Sequence, residues 1–137
     1  PDFADAQDDV ALRILATLGS PRDPLYILDK FRRNNQIELM GETARLTIAG
    51  RKVDVKTTFI DDMHVHDVAA ATASFDRKLL VIHAPNDEIV SFDNAETIYS
   101  RATCEKRLVR LSDTATHLLE QGSEDAAFIA DQIIANL

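Results

Sequence analysis

Asp87 and His117 are residues whose types and setting could do chemistry together. Each follows an apolar stretch that reads as a strand: Leu80-Val81-Ile82-His83-Ala84 before Asp87, and Arg107-Leu108-Val109-Arg110-Leu111 before His117. Neighbouring strands of a sheet lie only about 4.8 Å apart, so side chains from adjacent loops at one sheet edge can meet. A buried carboxylate facing Nδ1 of a histidine fixes the ring's tautomer and stabilises the imidazolium, leaving Nε2 to act as a base. That is the acid–base half of a nucleophilic triad. The bland alternative is a pair of solvated loop residues, the usual state of isolated charged side chains.

Other candidates compete with this pair. Glu88 is the rival acid beside Asp87. Cys104 could be a nucleophile, but only Lys106 and Arg107 stand near enough in sequence to favour a thiolate, and a thiol between a helix and a strand is ordinarily inert. Asp61-Asp62-Met63-His64-Val65-His66-Asp67 has the composition of a metal cluster. His-x-His puts both rings on one face of a strand, yet on the helix expected here the rings point apart, so no metal site is assigned. His83 packs in its strand, with its ring in reach of the neighbouring loop. Arg32-Arg33 and Arg101, Lys106 and Arg107 read as solvated faces rather than anion sites.

The elements that must position these residues follow from periodicity. Residues 2–9 are an acidic lead-in. Ala11 to Leu18 is an apolar run stopped by Gly19-Ser20-Pro21, which suits a buried strand, and a short helix fits the periodicity as well. Asp23-Pro24 starts a helix whose inner stripe is Leu25, Leu28, Phe31 and the stem of Arg32, with Gly41 as its stop. Ala44, Leu46 and Ile48 alternate with polar residues, Gly50 turns the chain, and Val53, Val55 and Thr57 alternate back: a β-hairpin with one polar face. Residues 59–73 read as one helix, with Ile60, Met63 and Val68 on its apolar face. The strand ending at Pro85 is almost wholly apolar, as in parallel sheets covered on both faces. Ser91 or Asp93 opens a helix carrying Phe92, Ala95, Ile98, Tyr99 and Ala102. After the next strand, Ser123 caps a last helix lined by Ala127, Ala130, Ile133, Ile134 and Leu137.

Strands alternating with helices imply an α/β fold: a partial, mostly parallel sheet of about three core strands, flanking helices and a β-hairpin insertion. Ligands of such sheets sit at the carboxyl ends of the strands, where Gly19-Ser20-Pro21, Pro85-Asn86-Asp87-Glu88 and residues 113–117 all fall. At 137 residues the chain suits one domain, with the hairpin excursion at about 23–73 and the acid and base segments at about 76–137. A net charge of −8 argues against nucleic acid or an anionic membrane as partner. No apolar run reaches the roughly 20 residues of a membrane helix, and no signal-peptide pattern opens the chain. One cysteine leaves no intrachain disulfide, which fits a cytoplasmic protein. No cofactor motif is present. Pro1 in place of Met reads as a processed, trimmed or excerpted chain.

The segment from Leu80 to Val90 resembles the acid-bearing strand and loop of the α/β-hydrolase superfamily, and Thr116-His117-Leu118-Leu119 resembles the segment that holds its catalytic histidine. The order, acid before base, is that family's. Leu18-Gly19-Ser20-Pro21-Arg22-Asp23-Pro24, the hairpin from Gly41-Glu42 to Gly50-Arg51, Phe59-Ile60-Asp61-Asp62 and Ser91-Phe92-Asp93-Asn94-Ala95 are similar to a bacterial hydrolase group often fused to an OsmC-type domain. The resemblance implies the C-terminal half of a hydrolase domain, with Asp87 rather than Glu88 as acid, His117 as base and His83 supporting the acid loop. Thr116 departs from the Asp usual before the histidine. More consequentially, the chain contains no Gly-x-Ser-x-Gly elbow, and Pro21 makes Gly19-Ser20-Pro21 unsuited to that turn.

The expected function is therefore a serine-type hydrolase acting on an ester-like or acyl substrate, with its serine on a missing N-terminal segment and the chain alone inactive. The first strand should present an unpaired apolar edge, inviting that N-terminal half or a second copy of the chain. The alternative is a non-catalytic half-domain serving as an interaction or structural module.

Overall fold

The computed structural model describes residues 12–48, 50–117 and 124–137. In chain order the elements are β1 (Ile14–Leu18), α1 (Pro24–Arg33), β2 (Ile37–Met40), β3 (Thr43–Ile48), β4 (Arg51–Lys56) and α2 (Thr57–Met63). Then come α3 (Val68–Ala73), β5 (Lys78–His83), α4 (Asp93–Arg101), β6 (Lys106–Arg110) and α5 (Glu124–Ala135). They divide into two compact units, one of residues 1–22 and 68–137, the other of residues 23–67. The acidic lead-in, the Ser123 cap and Leu118-Leu119 lie outside the described residues.

The first unit is built on β5, whose four central side chains, Leu79 to Ile82, are all aliphatic. It lies between β1 and β6, parallel to both, with Leu79 opposite Leu15 and Lys106, and Ile82 opposite Leu18 and Val109. Alternate side chains leave a strand on opposite faces. Leu79 and Val81 join Phe75 with Ala95, Ile98 and Ala102 of α4 and the segment after it. Leu80 and Ile82 join Ala84, Val109, Leu111, Ala115 and Ile129 of α5. Covering both faces is why this strand shows no polar alternation. Each such aliphatic side chain contributes about 1.5–3 kcal/mol when fully buried. The ladders continue past the strand ends: Gly19 N donates to Ile82 O at 3.0 Å, and Leu111 N to His83 O at 3.0 Å. The three chain segments therefore leave the sheet side by side, which fixes where their loops begin.

The second unit starts as its sequence indicates. Asp23 Oδ1 accepts from Leu25 N at 2.8 Å and Pro24 occupies the first turn, so α1 is capped and pre-set. Its end differs from expectation. The helix stops at Arg33 rather than near Gly41, because Asn35 adopts φ 53 and turns the chain into an additional strand. That strand, β2, pairs antiparallel with β3, Ile37 facing Leu46 and Leu39 facing Ala44. The hairpin of β3 and β4 is present, with Gly50 at φ 77 in its turn. Its polar face carries the Arg45–Asp54 ion pair at 2.7 Å, and its apolar face, with Ala44, meets Leu28 and Ile60. Arg32 is exposed and pairs with Asp29 at 3.8 Å, so it belongs outside the inner stripe assigned to it.

A single helix over 59–73 is also corrected. Two short helices replace it, and the break at 64–67 has a packing cause. Ile60 and Met63 serve the core of the second unit, while Val68 and Ala69 serve the core of the first. One continuous stripe cannot face two cores. Among the described residues no helix is long and apolar enough to cross a membrane.

Candidate active site

Asp87 lies four residues past the end of β5, in a turn that its own side chain closes. Its Oδ1 accepts from Ile89 N and Val90 N, each at 2.8 Å. A short carboxylate reaching back-bonded amides two and three residues on is what an aspartate does in a tight turn, and a longer side chain cannot keep the same geometry. Both amides fall on one oxygen, so the other, Oδ2, points outward from the turn. There it meets His117 Nδ1 at 2.7 Å. The Asp87 side chain is 1% exposed and that of His117 is 22% exposed. The acid is thus sealed from water while the ring reaches the surface.

The tautomer follows from the bonding. A carboxylate can only accept, so His117 Nδ1 carries the proton and Nε2 holds a lone pair. The arrangement can take a proton at Nε2 and balance the resulting imidazolium with Asp87. Asn86 Nδ2 donates to Asp113 O at 2.7 Å and ties the loop of the acid to the loop of the base. Gly19, at the carboxyl end of β1, has φ +55, and a Cβ there would lie 3.6 Å from His117 Nδ1. The three loops singled out by their positions in the sequence therefore do converge.

His83 is the remaining polar group in this place. It is 1% exposed, and its Nε2 lies 2.7 Å from Val90 O and 3.6 Å from Asp87 Oδ2. Its ring meets Phe92 edge-on at 5.9 Å, and the Arg110 guanidinium covers the Phe92 ring at 5.5 Å. Glu88, the rival acid, is exposed, and the His117 bond goes to Asp87. Asn86 and Gly19 are contributors that residue type alone did not single out. For Gly19 the available signal was its place just after a strand.

The other candidates lie elsewhere. Cys104 packs, partly buried, against the cluster around Leu79 and Ile98. Lys106 Nζ donates to Ala102 O at 2.6 Å and sits 4.7 Å over the Tyr99 ring. His64 and His66 are exposed between α2 and α3, not on one helix, and His66 Nε2 faces Asp62 Oδ2 at 3.4 Å. Among the described residues no three His, Cys, Asp or Glu side chains gather closely enough to hold a metal ion.

Solved structures share this architecture over nearly the whole chain. The esterase domain of a Rhodothermus marinus protein matches with a TM-score of 0.73 and 28% identity, over 97% of this chain and 54% of that one. The fold is that of part of an α/β-hydrolase domain. Two further hydrolase-fold structures match at lower identity, where the likeness is one of fold. Est1E from Butyrivibrio proteoclasticus, bound to ferulic acid, gives a TM-score of 0.67 at 15% identity, over 97% of this chain and 53% of its own. Mouse alpha/beta hydrolase domain-containing protein 10 gives 0.65 at 11% identity, over 97% and 56%. The chain thus spans about half the length of the hydrolase chains it matches. No family model matches the sequence, and no curated protein matches it significantly.

Proposed function

We propose that this chain supplies the acid and base of a serine-type acyl hydrolase whose nucleophile lies on a preceding segment of a longer protein. The observation that supports this most is the 2.7 Å bond between His117 Nδ1 and Asp87 Oδ2, with Asp87 Oδ1 already saturated by two amides. In the reaction, the serine oxygen attacks the acyl carbonyl while His117 Nε2 takes its proton. The imidazolium then returns that proton to the leaving alcohol, and water repeats the sequence to release the acid. Asp87 holds the ring and offsets its charge. Backbone amides of the preceding segment would hold the oxyanion. An ester is the substrate class this site suits, and cytoplasm the compartment. The chain stands as the C-terminal half of the domain, joined through β1 to the half that carries the serine.

The test begins with the coding sequence upstream of Pro1, where a Gly-x-Ser-x-Gly elbow is expected within roughly 40 residues. The downstream sequence shows whether an OsmC-type domain follows. The longer protein should cleave p-nitrophenyl acetate, and the 137-residue chain should not. Replacing the acid by its amide in such a triad lowers kcat by about 10⁴-fold, so Asp87→Asn is expected to lose on that order, and His117→Ala as much. Wild-type rates in both variants would remove the assignment and favour a non-catalytic interaction module.

A further inference from the structure

We propose that a cavity in the second unit is a binding site for a small monocarboxylate with an apolar body, a ring or a short chain. The site goes beyond the acid–base reading and shares no residue with Asp87 or His117. Leu28 and Arg32 are four apart and so share one face of α1. Ile37 and Leu39 are two apart and share one face of β2. Asn35, at φ 53, turns the chain between them, and with Ile60 of α2 these residues line a cavity of 170 Å³. Leu28 and Ile60 are buried whereas Leu39 is largely exposed, so the cavity has an inner end and an open side. An apolar cavity of about 150 Å³ holds one benzene ring, while drug-sized ligands need about 300 Å³ or more. The space therefore suits one ring or a chain of about six carbons.

The two polar lining residues decide the head group. Arg32 and Asn35 are both exposed, and Arg32 Nη1 has Asp29 Oδ1 at 3.8 Å, a surface pair of the kind that holds loosely. Lys30 and Arg33 stand in the same last turn of α1, so the field here is positive in a chain of net charge −8. Glu38 leaves β2 on the other face, where it pairs in register with Arg45. A guanidinium fork matches the two oxygens of a carboxylate. One lining cation balances one negative charge, and the second charge of a phosphate would go unpaired beside four aliphatic side chains.

The test is a titration of the 137-residue chain at pH 7 with hexanoate, benzoate, 1-hexanol and inorganic phosphate, followed in ¹H–¹⁵N spectra, with far-UV circular dichroism confirming the fold. Saturable shifts centred on residues 28–39 and Ile60 are expected with hexanoate, benzoate or both, and the two acids tell a chain site from a ring site. Arg32→Gln keeps the stem and removes the charge. It should weaken that binding about tenfold or more, the worth of a hydrogen bond to a charged group, and 1-hexanol should bind the unaltered chain as weakly. No saturable shift with either acid, or shifts centred elsewhere, overturns the proposal. So does unchanged affinity in Arg32→Gln, 1-hexanol bound as tightly as hexanoate, or phosphate bound more tightly than either acid. Should Arg32→Gln fail to fold, Leu39→Glu decides, since it sets a negative charge at the open side: binding weakened about tenfold supports the site, and binding retained in full ends it. Ester cleavage by the longer protein tests Asp87 and His117 separately, so the two readings fail independently.

Discussion

A methyl group on Gly19 would sit 3.6 Å from His117 Nδ1, 3.7 Å from its Cε1 and 3.8 Å from Asp87 Oδ2. Those are ordinary contact distances, so the side chain itself would fit. The backbone is the obstacle. Gly19 holds φ +55, and a residue with a Cβ pays about 1–2 kcal/mol in that left-handed region. Gly19→Ala is expected to lower unfolding free energy by about that amount, read from urea denaturation, while the His117 Nδ1–H resonance persists. Loss of the resonance without loss of stability would show instead that the methyl displaces the ring. At this scale the sequence was informative about Asp87 and His117 because carboxylate and imidazole chemistry is specific and strand ends place them at one edge. It left Asp87 against Glu88 to resemblance. The deciding feature is a turn closed by the Ile89 and Val90 amides, and hydrogen bonds to backbone carry no signature in residue type.

Between the loop after β1 and the start of α4, one buried amide side chain does the joining. Asn94 is 0% exposed; its Oδ1 accepts from Arg22 N at 3.2 Å and its Nδ2 donates to Ser91 O at 2.9 Å. Arg22 Nη1 adds a bond to Asp93 Oδ2 at 2.8 Å. Removing one partner from a buried hydrogen bond costs about 1–3 kcal/mol, so Asn94→Ala should destabilise by that much in urea titrations, and Asn94→Asp by no less. A change under a few tenths would mean the link is dispensable. Asp93 makes a second, pH-dependent contribution. The Ser91 hydroxyl, more than any other group, holds the Asp93 carboxyl below the usual carboxylate range; burial opposes it, and Arg22 adds to the lowering. A depressed folded-state value stabilises the fold above the unfolded value of about 3.9, and this is lost as pH falls through the folded value. Asp93→Asn should therefore lower the urea midpoint at pH 7, with the two proteins converging as pH drops below about 4. Helix and strand existence was readable from periodicity and caps here. The boundaries of α1 and of the helix broken into α2 and α3 were not, since Asn35 and a change of core at 64–67 decided them.

Across the whole molecule, what the sequence conveyed best was the parallel sheet. A strand with an unbroken buried aliphatic run such as Leu79-Leu80-Val81-Ile82 of β5 has few other homes. The antiparallel unit was only partly legible, because β2 is four residues long and alternates weakly, with Leu39 70% exposed. The sheet's two edges differ in a way that bears on assembly. β6 carries Lys106, Arg107 and Arg110, the kind of charge that discourages another strand from pairing. β1, Ile14-Leu15-Ala16-Thr17-Leu18, carries none, and among the described residues it has only β5 beside it. Thr17 Oγ1 is buried there with no hydrogen-bond partner. A strand with free backbone groups and no charge is the edge that takes a partner, and in the proposed longer protein that partner is the half carrying the serine. Alone at high concentration, the chain is expected to pair this edge with a second copy. Light scattering after size-exclusion chromatography should show a mass that rises with concentration toward the dimer. Ala16→Lys, placing a charge on exposed β1, should shift it back to monomer, whereas Arg107→Ala on β6 should not raise it. A chain that stays monomeric at every concentration, with the β1 amides exchanging freely, would mean that this edge needs no partner.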